Sequence, residues 1–217
     1  MKKKSMITFT LLKHVKEHSS LYLFITILFL MGVIFGAIIV NSLNLNQKDD
    51  LFYYLSQFFG QVKQGRIDHS EGMYWQTVNH NVKYIGLIWI LGISIIGLPI
   101  ILVLLFLKGM VVGFTVGFLV NQMGFNGFLL AFVSIFPQNI FIVPVFILIT
   151  AMALSLSIKI IRRLFMKQLR DPLKPVIIKY FLSFTCAVAV LLAAGAIETY
   201  LSPQLMKNVV SLVGNEK

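Results

Sequence analysis

Long apolar stretches separated by short polar segments dominate the chain. The first extends from Leu21 to Val40, 20 residues without a charge, and a helix of that length crosses the roughly 30 Å hydrocarbon core of a bilayer. Similar stretches recur along the chain, so the pattern predicts an all-α integral membrane protein with about five transmembrane helices. We place the spans near residues 21–40, 84–107, 110–128, 132–158 and 180–200.

Composition supports a single polytopic membrane domain covering residues 1–217. Apolar residues make up 58% of the chain, charged residues 12%, and the mean hydropathy is +0.85, whereas soluble domains are near half apolar and a quarter charged. The net charge of +11 does not indicate a nucleic-acid-binding protein, because the basic residues punctuate hydrophobic stretches instead of forming one face. We therefore predict no nucleic-acid partner.

The distribution of Lys and Arg predicts a cytoplasmic N-terminus, because cytoplasmic loops carry the basic excess. With that orientation, 13 of the 19 Lys and Arg residues lie on the cytoplasmic side. They include Lys108, which we place between the second and third spans, and seven residues in the basic loop 159–179, which suits anionic lipid headgroups. Five spans put the C-terminal tail outside, whereas four would return it to the cytoplasm.

The first extracytoplasmic loop, residues 41–82, contains the pattern of an amphipathic helix. Asn46 is the expected N-cap, Asp49 and Asp50 are expected in the first turn, and Gly65 follows the end. The helix either rests on the outer leaflet or on the protein's own spans, or it offers a docking face to an extracytoplasmic partner. If the helix docks a partner, we expect its apolar residues to form the interface: Leu51, Phe52, Leu55, Phe58 and Phe59.

Glycines recur at four-residue spacing in the first and third predicted spans. This G-x-x-x-G spacing puts small residues on one helix face, which allows a second helix to approach closely. The second helix belongs either to the same chain or to another copy, and the latter would make a homo-oligomer. The predicted helix-packing residues are Gly32, Gly36, Gly109, Gly113 and Gly117.

Amide side chains interrupt the apolar stretches around the third and fourth spans. With Pro137 and Pro144 nearby, they predict a broken helix, and residues 121–127 form either a re-entrant turn or an outer loop. Transporters build solute sites at such breaks, so a small transporter or permease-like subunit is an alternative function. The polar residues of this break are Asn121, Gln122, Asn126, Gln138 and Asn139.

No motif supports an enzyme. The segment His14–His18 fits the H-x-x-E-H pattern of one class of zinc peptidases, but Lys13 and Lys16 disfavour a bound cation there. The chain has neither a G-x-x-x-x-G-K phosphate loop nor a serine nucleophile elbow. We therefore predict a noncatalytic protein without catalytic, metal-binding or cofactor-binding residues.

Four segments of the chain carry a family resemblance: His18–Leu43, Tyr84–Ile100, Leu107–Gly127 and Phe136–Pro144. They closely resemble the stage II sporulation protein M family of endospore-forming bacteria. The resemblance implies a noncatalytic role in engulfment, in which the mother-cell membrane migrates around the forespore. It further implies a scaffold at the sporulation septum and the engulfing cell membrane, which recruits or anchors the peptidoglycan-degrading stage II sporulation proteins D and P.

Overall fold

The computed structural model describes residues 19–63, 71–166 and 173–196, and these residues form helices without any strand. The His14–His18 motif lies outside the described residues, and so do the side chains of Phe58 and Phe59. A short 3-10 turn, Val40–Ser42, follows the first helix. The α-helices of the described ranges are α1 (Ser19–Ile39), α2 (Leu45–Lys63), α3 (Glu71–Gly92), α4 (Gly97–Ser134), α5 (Phe136–Met166) and α6 (Leu173–Ala196).

Four segments of the described chain are long and apolar enough to cross a membrane, and they correspond to α1, α4, α5 and α6. The polar residues of α3, Asn79–Asn81 and Lys83, give it a more polar sequence than these four. The all-helical membrane architecture predicted from the sequence is therefore confirmed, while five crossings and a cytoplasmic N-terminus remain predictions. The four segments are Ser19–Ser42, Gly97–Ser134, Phe136–Leu164 and Val176–Ala196.

Helix α5 forms the centre of the bundle, and the other long helices surround it. Phe146 and Ile149 of α5 are fully buried, together with Ile85 and Ile88 of α3 and Ile101 of α4. The outward faces of the surrounding helices are apolar and exposed, as expected of surfaces that lipid covers. On α1 this face carries Leu23, Phe24, Ile27, Leu30, Met31 and Ile34.

Hydrogen bonds between the helices define two ends of the bundle. At one end, which we call the turn end, Ser157 Oγ of α5 donates to Ser94 O, 3.2 Å away, in the turn between α3 and α4. At the other, which we call the kink end, Asn121 Nδ2 of α4 donates to Asn41 Oδ1 at 3.3 Å, just after α1. Three basic residues of α5 lie just beyond Ser157 at the turn end: Lys159, Arg162 and Arg163.

The helix boundaries differ from the predicted spans at two places. A turn at residues 93–96 interrupts the predicted span 84–107, where the Ile93 and Ser94 N–H groups bond back to the Ile90 and Leu91 carbonyls. Conversely, the predicted boundary at Lys108 lies inside the continuous helical part of α4 that precedes Gly124. Hydropathy misses the turn because its residues are apolar. It predicts a loop at Lys108 because a charged residue inside a helix lowers the local hydropathy as a loop would.

The interruption predicted near residues 121–127 is a sharp kink at Gly124. Its φ of +58° and ψ of −131° are easily adopted by glycine, and the chain folds back so that Gly127 packs against the Leu119 carbonyl. The predicted break at the prolines is wrong for Pro144, because α5 continues through it. Pro137 stands in the first turn of α5, where its missing N–H leaves no helical bond unmade.

The N-cap of helix α2 lies two residues earlier than predicted, and the helix itself begins at Leu45. The Asn44 N–H donates to Gln47 Oε1 at 3.1 Å, and the Lys48 N–H reaches the Asn44 carbonyl at 3.0 Å. This is the reciprocal part of a capping box, with Asn44 before the helix and Gln47 at its third position. The prediction of Asn46 as N-cap is therefore wrong, and no acidic residue lies in the first turn.

Candidate functional site

The predicted helix-packing glycines lie between α1 and α4 of the same chain. A Cβ on Gly32 would strike the Phe106 carbonyl, and one on Gly113 would strike the Val33 carbonyl. A Cβ on Gly117 would lie 2.9 Å from Ala37 Cα. Residues with higher numbers on α1 contact residues with higher numbers on α4, so the two helices run parallel. Their backbones are in direct contact. Gly36 and Gly109 make equivalent contacts, with Met110 and Phe29.

The apolar residues proposed for partner docking lie on a helix that stands apart from the bundle. Among the described residues, α2 makes only marginal contact with the other helices. Phe52 is 40% exposed, Leu51 is 36% exposed and Leu55 is partly buried. Tyr53 and Tyr54, on other faces of the helix, are exposed more fully still. Among the described side chains of α2, the bundle therefore leaves Leu51, Phe52 and the tyrosines uncovered.

A polar cavity of about 400 Å³ lies between α3, α4 and the start of α5. Its volume falls within the roughly 300–1,000 Å³ range of ligand pockets. Four aliphatic side chains complete the wall, and Lys108 is the charged residue among the described lining residues. The polar lining residues are Gln76, Thr77, His80 and Asn81 of α3, Lys108 and Thr115 of α4, and Gln138 and Asn139 of α5.

Lys108 brings a basic side chain to this cavity from the interior of the bundle. The Lys108 ammonium donates to Asn81 Oδ1 at 3.2 Å and lies 5.0 Å from the ring centroid of Phe146 and 5.7 Å from that of Tyr84. Its neighbour Gly109 packs on Phe29, in the middle of α1, so Lys108 is level with the middle of that helix. The sequence-based placement of Lys108 in a cytoplasmic loop is therefore wrong.

The surroundings of Lys108 reduce the free-energy cost of placing its charged side chain inside the bundle. A lysine at the centre of a spanning helix costs about 2.5–3.5 kcal/mol on insertion scales. An amide oxygen and two ring faces reduce that cost, because each presents partial negative charge to the ammonium. Asn81 is held in place for this contact, since its Nδ2 donates to the Thr77 carbonyl at 3.2 Å.

We expect Asn81→Leu to lower the free energy of unfolding by about 1.5–3 kcal/mol, because the ammonium loses an acceptor. Adding Lys108→Met removes the ammonium itself. This second substitution should therefore restore most of the lost free energy of unfolding. A double-mutant cycle from equilibrium unfolding in mixed micelles measures this coupling. Asn79→Leu, on the exposed side of α3, is the matched control. If Asn81→Leu lowered the free energy of unfolding equally in the native chain and in the Lys108→Met variant, the pairing of Asn81 with Lys108 would be contradicted.

The structure separates the five polar residues predicted as one break. Gln138 and Asn139 line the cavity, whereas Asn121 bonds to Asn41 at the kink end. Gln122 and Asn126 flank the kink at Gly124 and do not line the cavity. Only two of the five residues therefore belong to the candidate site.

Sequence reasoning missed the contributions of α3 and Lys108 to the cavity. The signal was present, because Gln76 and His80, and likewise Thr77 and Asn81, stand four residues apart on one helical face. A polar stripe of this kind in a helix of a membrane protein indicates a polar interior surface. It was hidden because these residues were assigned to an extracytoplasmic loop.

These features define an all-helical membrane protein with a polar cavity among its helices and one helix, α2, that makes little contact with the rest of the described chain. Residues 25–203 match the sequence model of the family described as Stage II sporulation protein M. The chain belongs to that family, as the resemblance of its four segments predicted, and is thereby linked to sporulation. Comparisons with curated proteins and with solved structures gave no match.

Proposed function

We propose that this chain is a noncatalytic membrane scaffold of the engulfment machinery. In this role it recruits or anchors peptidoglycan-degrading partners, the stage II sporulation proteins D and P, at the septal membrane. Membership of the stage II sporulation protein M family supports the link to sporulation. The recruiting element is α2, and the septum and the engulfing mother-cell membrane are the expected location.

The uncovered apolar face of α2 is the observation that carries this proposal. An amphipathic helix is stabilised mainly by burying its apolar face, yet the bundle does not cover α2 within the described residues. Packing on the protein's own spans is therefore the weaker of the earlier alternatives. We infer that a protein partner covers Leu51 and Phe52, with the outer leaflet as the alternative, because the family is tied to a multiprotein process.

The bundle suits the role of a fixed base for α2. Close backbone contact between α1 and α4 fixes the end of α1, and only the Val40–Ser42 turn and two further residues separate α1 from α2. The basic residues Lys159, Arg162 and Arg163 lie at the turn end, where they suit anionic headgroups of the cytoplasmic leaflet. With that end inside, α2 begins on the opposite, extracytoplasmic side.

Polar substitution of the apolar face should abolish recovery of the cell-wall hydrolases. The test variant carries glutamine at the five selected positions, and the protein is purified from sporulating cells in mild detergent. We expect at least a tenfold loss of co-purified stage II sporulation proteins D and P, because the desolvated apolar contact is the source of affinity. The positions are Leu51, Phe52, Leu55, Phe58 and Phe59.

The matched control is Tyr53→Gln, which removes an exposed aromatic residue from the opposite side of α2. It should retain the partners at the native level. Both variants must reach the membrane in equal amounts, which membrane fractionation measures. Retention of both hydrolases by the five-residue variant would overturn the assignment of α2 as the docking helix.

Transport of a small solute is a second candidate function, and the polar cavity is the observation that favours it. Its site would be the wall containing Gln138 and Asn139, without Asn121, which lies at the kink end. This function requires solute uptake or efflux in proteoliposomes that depends on Gln138 or Asn139. The scaffold requires none, so the assay separates the two functions.

A further inference from the structure

We propose that a transmembrane helix of another membrane protein covers the outer face of α3, and that a carboxylate on that helix pairs with Lys83. This surface is separate from α2 and needs no recruitment of cell-wall hydrolases. It follows from the depth of α3 in the bundle, the polarity of its exposed face and the positions of the acidic residues.

Helix α3 lies at the depth of the spanning helices, although its sequence is more polar than theirs. Near its beginning, the Tyr74 hydroxyl donates to the Leu192 carbonyl at 3.3 Å. Near its end, the Tyr180 hydroxyl donates to the Trp89 carbonyl at 2.8 Å. Leu192 and Tyr180 both belong to the spanning segment of α6. Lys83 stands between these two contacts, so it lies beside the middle part of that segment.

The outer face of α3 is polar over the half that contains Lys83. Its exposed polar residues are three or four positions apart, which places them on one side of the helix. They are Gln76, Asn79, His80 and Lys83. The same side continues with exposed Leu87 and Ile90, and exposed residues of the adjacent α6 include Phe181 and Leu182. Lipid therefore suits the surroundings of the four polar residues but not the polar residues themselves.

Lys83 is too far from either end of α3 to extend to the lipid headgroups. The nearer end, Gly92, is nine residues away, which is about 13 Å along the helix, and the four-carbon stem of lysine is shorter than that. Among the described residues, Lys83 makes no hydrogen bond or ion pair. Because an exposed ammonium in hydrocarbon is costly, a carboxylate at the same depth would stabilise it.

A second copy of the chain is a poor source of that carboxylate. The described helices α1, α4, α5 and α6 contain no Asp or Glu, and the acidic residue of α3 is Glu71, at its first position. A symmetric contact between two α3 helices would also bring two Lys83 charges together, which is repulsive. Charge complementarity therefore points to a different protein whose transmembrane helix carries Asp or Glu.

The test mixes the full chain in neutral liposomes with a synthetic transmembrane helix of leucine and alanine that carries one central aspartate and a dansyl group. Two matched peptides carry leucine or lysine in place of the aspartate. The two tryptophans of the chain, Trp75 and Trp89, are both on α3, so energy transfer from tryptophan to dansyl reports a peptide beside this helix. Titration at several lipid dilutions gives the affinity. We expect the aspartate peptide to bind about fivefold or more tightly than the other two, as for a strong polar contact between membrane helices.

Exchanging the charge on α3 should exchange the preference among the peptides. Lys83→Met should bind all three peptides equally weakly, and Lys83→Glu should prefer the lysine peptide. Lys179→Met, which removes an exposed lysine from α6, should keep the native preference. The five-residue glutamine variant of α2 should keep it as well, so the outer face of α3 and the docking helix are tested separately.

Equal binding of the three peptides by the native chain, or an unchanged preference in Lys83→Met, would overturn the proposal. Crosslinking of the native chain in the same liposomes examines the other occupant. A dimer that excludes the aspartate peptide would assign the outer face of α3 to a second copy and would overturn the proposal too.

Discussion

Replacing Gly113 by alanine is expected to force α1 and α4 apart and to lower the free energy of unfolding by about 1–3 kcal/mol. The added Cβ would meet the Val33 carbonyl and Cα, which are backbone atoms that cannot rotate away. Alanine stabilises a helix by up to about 1 kcal/mol relative to glycine, so a net loss shows that the steric conflict exceeds the gain in helix propensity. The midpoint of equilibrium unfolding in mixed micelles measures it.

Gly86→Ala is the matched control for that experiment. Gly86 lies within α3, and a Cβ there meets no atom within 4 Å. Its replacement should therefore be neutral or stabilising, because only the propensity term acts. If Gly113→Ala were as stable as Gly86→Ala, the close packing of α1 on α4 would be wrong.

The sequence predicts the features that depend on local pattern. The apolar stretch from Leu21 to Val40 predicts α1 because its length alone matches a bilayer, and the four-residue spacing of Gly109, Gly113 and Gly117 predicts a face for close packing. The choice between a partner helix in the same chain and one in a second copy depends on tertiary contacts. Spacing along one helix carries no information about those contacts, so the structure was needed to place these glycines against α1.

The cavity was harder to predict, because its residues come from three helices. Hydropathy treats Lys108 as an edge residue, since a charge in hydrocarbon is normally costly. The cost is reduced by Asn81, which is 27 positions away in the sequence, and by the ring of Phe146. Their juxtaposition in three dimensions helps to make an interior lysine acceptable and contributes to the polar pocket.

The apolar turn at residues 93–96 shows a second limit of predicting helix boundaries from hydropathy. The isoleucines of this turn are typical of the middle of a transmembrane span, and their hydropathy does not indicate that the chain reverses direction there. The turn exists because Gly97 can approach the Leu91 carbonyl, where a Cβ would collide, and because α6 stabilises the end of α3. The second of these causes involves Tyr180, more than 80 residues further along the chain.

Tyr180→Ala is expected to detach α6 from α3 and to lower the free energy of unfolding by about 3–5 kcal/mol, the usual cost of removing a buried aromatic ring. Tyr180 is 2% exposed, and its ring stacks on Trp89 with a centroid distance of 5.5 Å and an interplanar angle of 11°. The loss of the ring would leave a void beside Trp89, because the surrounding helices cannot fully close it. Equilibrium unfolding in mixed micelles provides the comparison.

Tyr180→Phe separates the hydroxyl from the ring. The hydroxyl donates to the Trp89 carbonyl at 2.8 Å, and the Ile93 N–H, which would reach that carbonyl in a continuing helix, bonds to Ile90 instead. Tyr180 thus satisfies an end carbonyl of α3, so Tyr180→Phe should cost about 1 kcal/mol. If Tyr180→Phe cost as much as Tyr180→Ala, the hydrogen bond rather than the packed ring would hold α6, and the assignment of the larger effect to packing would be wrong.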